Sequence, residues 1–298
     1  SDVNTVYVTN AGNYTGEGDE GITLTDTDVS AANANTIANK TTGVVTATVT
    51  AAAASELATA LVNADQDDAL ALTVNAEAAS AATTAANLVT LDGKTSVAID
   101  MSAVTSVSGT YSDVNTVYVT NAGNYTGEGD EAITLTDTAI TAIQLDTIDG
   151  VTSDTVTVNA TSVTGAYADV NTVYVTNAAN YAGLGNEAIT LTDASVSVTD
   201  ANTIAALTSG IVTATLTTGD LSSFSSLAET GNAYTITVND ANTQTLQASA
   251  LSTLGGKTTA TVTVSNAVTI SGTAAELMAA LVTESTKVVA ATANITFT

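Results

Sequence analysis

The chain has 298 residues and a net charge of −26, from 30 acidic residues against four lysines (Lys40, Lys94, Lys257, Lys287) and no arginine. Nucleic acid and membrane are therefore not expected as partners: binding the first, or an anionic membrane surface, takes clustered Lys or Arg, and no apolar run is long enough to span a bilayer. With no His, Cys or Trp, catalytic triads, thiol chemistry, disulfides and the usual zinc sites are excluded, and no pair of carboxylates is marked out for catalysis, so the chain reads as a non-enzyme.

High charge with 4% aromatic residues also fits a disordered chain, but 45% hydrophobic residues and regular alternation point to a folded one. The chain opens on Ser1-Asp2-Val3-Asn4-Thr5-Val6-Tyr7-Val8-Thr9-Asn10, a stretch that recurs from Ser112 and, with Ala for Ser, from Ala168. Self-similarity of this fidelity marks a repeat architecture. The unequal intervals suggest a module of about 55 residues. We read residues 1–298 as a single continuous array with modules 1–111, 112–167 and 168–298. The middle copy follows Gly109-Thr110-Tyr111 while nothing precedes Ser1, so the chain reads as a segment of a longer array.

Period-two alternation then appears at 22–25, 45–50, 70–75, 97–102, 133–136, 155–159, 189–192, 212–217, 234–239 and 260–265, with a less regular segment at 288–298. A spacing of roughly 22–36 residues is too long for hairpins and suits parallel strands joined by crossovers. One strand per rung is expected, with Val, Leu, Ile or Ala on an apolar inner face and Thr, Ser or Asn outside.

The crossovers carry helical signals. Asp240 to Lys257 has apolar residues at helical spacing and stops at Gly255-Gly256, Ala78 to Leu91 stops at Asp92-Gly93, and Thr273-Ala274-Ala275-Glu276 fits a capping box. The signature stretch aligns position for position with this last segment: Thr110 and Asp113 replace the capping pair, and Val114, Val117 and Tyr118 replace Leu277, Ala280 and Leu281. Val-Tyr-Val has strand propensity, yet the alignment predicts a short helix. The expected fold is a right-handed β-α repeat solenoid, a parallel sheet wall with short helical or irregular crossovers. It is like leucine-rich repeats in architecture only, since their Leu/Asn signature is absent.

Two acidic loops, Gly16-Glu17-Gly18-Asp19-Glu20 and Gly127-Glu128-Gly129-Asp130-Glu131, offer oxygen ligands of the kind Ca²⁺ takes: Glu17, Asp19 and Glu20, then Glu128, Asp130 and Glu131. The alternative is a solvated turn before a strand, favoured by the third copy, Gly183-Leu184-Gly185-Asn186-Glu187, which discards two of the charges. Asp65-Gln66-Asp67-Asp68 is a second acidic loop of this type. Gly93-Lys94-Thr95 and Gly255-Gly256-Lys257-Thr258 lack P-loop spacing and run from helix to strand, so they read as helix ends. Outward Thr files at Thr46/Thr48, Thr213/Thr215 and Thr235/Thr237 are either ordinary exposed strand faces or a ligand face, and similar arrays occur in ice-binding proteins.

Asp169–Tyr174, Gly183–Asp193 and Asn202-Thr203-Ile204 resemble the Thr/Ala/Asp-rich tandem repeats of very large secreted surface proteins of aquatic bacteria, cyanobacteria especially. The resemblance implies an extracellular structural protein of the bacterial cell surface, sometimes calcium-associated: a filament, coat such as an S-layer, or stalk, self-associating into a homopolymer or continuing the same array. It implies no catalytic residue. The alternative is an adhesin or ligand-binding module that uses its Thr-rich face for ice, glycan or mineral.

Overall fold

A computed structural model describes residues 2–78, 81–283 and 287–298; residues 79–80 of the Ala-rich segment from Ala78 lie outside them. The chain divides into two compact units, Ser1–Asp137 with Thr147–Asn159 and Thr138–Asp146 with Ala160–Thr298. The fold is α/β, and the ladders described here are parallel.

In the first unit, Ile22–Thr23, Val45–Thr48 and Ala69–Ala71 form one ladder, in which Ile22 sits opposite Val45 and Thr46 opposite Ala69. Thr83–Thr84, Ser106–Gly109, Ala132–Leu135 and Val156–Val158 pair in that order, with Val107 between Thr83 and Ile133. In the second unit the ladder runs from Ala139–Thr141 through Ser162–Gly165, Ala188–Leu191, Val212–Thr215, Ala233–Val238 and Val262–Val264 to Val288–Val289. Register partners lie 20–26 residues apart throughout.

The alternation sets the faces as expected. Val45 and Ala47 are buried while Thr46 and Thr48 are exposed, and Val212/Ala214 against Thr213/Thr215 repeats the pattern. Each fully buried Val, Leu or Ile contributes about 1.5–3 kcal/mol. Val107, Ile133, Val156, Val163, Ile189 and Val212 are all at 0% exposure, so the ladder register is also the core register.

One expectation is corrected. One strand per interval is expected from the alternation, but many intervals hold two, separated by a bend. Ala233–Val238, Val262–Val264 and Val288–Val289 pair with one another, and so do the strands that follow them, Thr245–Gln247, Thr269–Gly272 and Asn294–Phe297. The bends are held by amides: Asn266 Nδ2 donates to the carbonyls of Asn239 and Asp240, and Asn242 Oδ1 accepts from the Ala267 amide. These second strands shorten two expected helices. The helix sought from Asp240 begins only at Ala248 and ends at Gly255, and the one sought from Ala78 spans Ala85–Asp92. Ladder pairing of Leu246 with Ile270 and of Thr83 with Val107 outcompetes local helix propensity there.

The helices start where hydroxyl caps stand. Ser30, Thr84, Thr110, Ser197 and Thr273 each accept the amide three residues on, and Thr273 with Glu276 completes a reciprocal capping box. The signature stretch is helical: Tyr111–Asn115 continues into a π-turn over Thr116–Thr120 that closes with the Asn121 amide on the Thr116 carbonyl. Its apolar residues Val114, Val117 and Tyr118 share the buried face. Lys94 and Lys257 follow helix ends and donate to backbone carbonyls, those of Val62 and Ala64 in one case and Ala228 in the other. Among the described residues, no helix is long and apolar enough to cross a membrane.

Candidate functional site

The three signature copies build the same arrangement around one glutamate. In each loop two glycines take left-handed backbone angles: Gly16 and Gly18, Gly127 and Gly129, Gly183 and Gly185. The chain folds back so that the second glycine's amide donates to the glutamate: Gly18 to Glu20 Oε2 at 2.8 Å, Gly129 to Glu131 at 2.8 Å and Gly185 to Glu187 at 2.9 Å. A threonine 21 residues on fastens the glutamate's backbone. Thr41, Thr152 and Thr208 donate to the carbonyls of Glu20, Glu131 and Glu187, each at 2.6 Å.

The π-turn supplies a tyrosine. Tyr174 Oη donates to Glu187 Oε2 at 2.9 Å in a fully enclosed setting, and in the first copy Tyr7 Oη lies 3.5 Å from Glu20 Oε2. Burial, reinforced by the negative Glu187, pushes the Tyr174 hydroxyl far above the usual tyrosine range; Tyr118 is raised the same way by burial, then by Glu131, with Glu128 and Asp130 adding to it. The Gly18 amide is the main force that holds the Glu20 carboxyl below the usual glutamate range. Sequence reading missed the tyrosine–glutamate pair. Its signal was the constant separation of thirteen residues, kept in the third copy although the other loop acids are lost there.

The six acidic candidates divide by exposure. Asp19 and Asp130 point into solvent, Glu17, Glu20 and Glu128 are half-buried, and Glu131 is buried completely, as is Glu187. Burial, then Glu20 and Glu17, raises the Tyr7 hydroxyl, as burial, then Glu131 and Glu128, raises Tyr118. Oε1 of Glu131, Oε1 of Glu187 and Oε2 of Glu128 are buried without a hydrogen-bond partner among the described residues. No cluster of three or more acidic groups placed to hold a metal ion occurs among the described residues.

The loop at Asp65–Asp68 has a backbone role. Asp68, 5% exposed, accepts from the Val45 amide at 2.7 Å and the Asp65 amide at 3.2 Å, while Asp65 Oδ1 accepts from the Asp67 amide. Of the threonine candidates, Thr213, Thr215, Thr235 and Thr237 belong to one ladder of the second unit, where Thr190 faces Thr213, Thr215 faces Thr235 and Thr237 faces Thr263. Thr46 and Thr48 lie in a ladder of the first unit, Thr46 beside Thr23 and Thr48 beside Ala71.

A cavity of about 550 Å³ opens where a four-residue 3₁₀ turn, Leu221–Phe224, stands in place of a longer helix. Leu221, Phe224, Leu246 and Leu254 give it an apolar lining, with Asp240 and Lys257 at its polar side.

No protein-family model, no curated protein and no solved structure matches the chain.

Proposed function

We propose that this chain is a segment of an extracellular structural protein of a bacterial surface, a right-handed β-α solenoid whose stacked coils build a fibre, coat or stalk of the kind seen in large tandem-repeat surface proteins. The observation that carries the reading is the near-constant offset of the parallel ladders, in which each strand pairs with the strand 20–26 residues later. Continuous ladders of this kind give stiffness along the stack, and each coil covers the apolar face of the one before. The strong negative charge keeps such a rod dispersed and draws cations. The mechanism is mechanical and colloidal, with no catalytic step and no nucleic-acid partner.

Electron microscopy of material from its native source, in millimolar Ca²⁺ and in EDTA, tests this. Continuous fibres or sheets with an axial repeat support the proposal, and isolated particles under both conditions overturn it. The exposed threonine ladder favours one second reading, an adhesin face for ice, glycan or mineral. Replacing Thr213 and Thr215 by bulky residues abolishes ligand binding in that case and leaves assembly intact in the first.

A further inference from the structure

We propose that Glu128 and Glu131 of the middle copy bind one hard divalent cation, calcium by charge and ligand type, and that the matching loop of the third copy does not. The inference does not depend on the structural reading above. Glu131 is 0% exposed, and while its Oε2 is held by the Gly129 amide at 2.8 Å, its Oε1 has no hydrogen-bond partner among the described residues. Oε2 of Glu128, three residues earlier, is in the same condition. A buried oxygen left unsatisfied costs about 1–3 kcal/mol, more when it carries charge. A dication that takes both oxygens as ligands removes the penalty of each.

The ligand type selects the ion. Carboxylate oxygens suit calcium or magnesium over softer metals, and a glycine-hinged loop suits the variable six to eight oxygen ligands of calcium better than the rigid octahedron of magnesium. Water completes the shell. Neither Lys94 nor Lys257 competes, since both ammonium groups are bound to backbone carbonyls elsewhere.

The other copies are internal controls. Glu187 also aims an unpartnered Oε1 inward, but Leu184 stands where the middle copy has Glu128. With leucine in that place, the third loop offers one glutamate where the middle loop offers two. In the first copy Glu20 is only half-buried and Tyr7 stands 3.5 Å away, which weakens any site.

Calcium titration calorimetry on the full chain in about 0.15 M NaCl, which screens diffuse counterion binding, tests the assignment. Wild type is expected to show a saturable event with a Kd on the order of 10⁻⁴–10⁻³ M, the range of extracellular calcium modules. E128L, which places the third copy's own side chain in the loop, loses it by tenfold or more with an unchanged circular dichroism spectrum. L184E adds one further equivalent and decides the matter should E128L not fold. Terbium in place of calcium luminesces on excitation through Tyr118, and Y118F removes that emission. Absence of a saturable event in wild type, or a folded E128L that titrates like wild type, overturns the assignment.

Discussion

Tyr174 and Glu187 meet inside the protein, Oη to Oε2 at 2.9 Å, with the carboxylate at 0% and the phenol residue at 5% exposure. One side chain comes from a π-turn and the other from a glycine loop, and together they pin the end of the signature helix to the start of the next strand. Hydrogen bonds to a buried charge are worth about 1.5–3 kcal/mol. Y174F is expected to destabilise the chain by about that amount, read as a lower urea midpoint with an unchanged slope. Y7F, whose hydroxyl lies 3.5 Å from a half-buried glutamate, is expected to cost well under half as much.

The helix caps give a matched pair. Thr110 accepts the Asp113 amide at the head of the middle signature helix, while Ala166 holds the same place in the third copy without a cap bond. T110A is expected to cost about 1 kcal/mol, and A166T to gain a similar amount, in thermal or urea unfolding.

Asp68 carries a pH prediction. Burial raises its carboxyl above the ordinary aspartate range, against the lowering effect of the Val45 and Asp65 amides. The folded chain therefore holds this proton more tightly than the unfolded chain, so Asp68's contribution to stability is present below the ordinary aspartate range and is lost as pH rises through its folded value. Asn232 does the same work uncharged, its Oδ1 accepting from the Val212 amide at 2.8 Å. D68N is expected to raise Tm at pH about 7, with the advantage over wild type shrinking as pH falls through Asp68's raised folded-state range and gone below the ordinary aspartate range.

Stacking closeness is set by glycine over alanine. A Cβ placed on Gly165 would lie 3.0 Å from the Ala142 Cβ, and Gly109 over Ala85 and Gly272 over Ala248 repeat the contact at 2.8 and 3.0 Å. G165A is expected to cost about 1–3 kcal/mol by overpacking. Much of this is recovered in the double variant G165A/A142G, a coupling that a double-mutant cycle measures.

Much of the local structure was legible in the residues. Val45-Thr46-Ala47-Thr48 alternates with period two and buries its valine and alanine, because a strand's side chains alternate across the sheet whatever the sheet's partners. Thr273 and Glu276 form their capping box because all its atoms lie within one turn. The signature stretch is a helix despite its strand propensity, as its likeness to that segment implies, and three apolar residues on one face hold it there.

By itself the sequence determined the repeat, the alternating faces, the caps and the charge, all of which rest on contacts within a few residues. Only the tertiary structure decided the second strand found in many intervals, since segments such as Thr245–Gln247 are too short to carry a readable period and exist because Leu246 finds Ile270 across the ladder. The same holds for the glutamates. The acidic loops of the first two copies read identically, and burial differs because it is set by the segments packed around them. That packing leaves Glu20 half open and seals Glu131, with an oxygen that has nothing to bind.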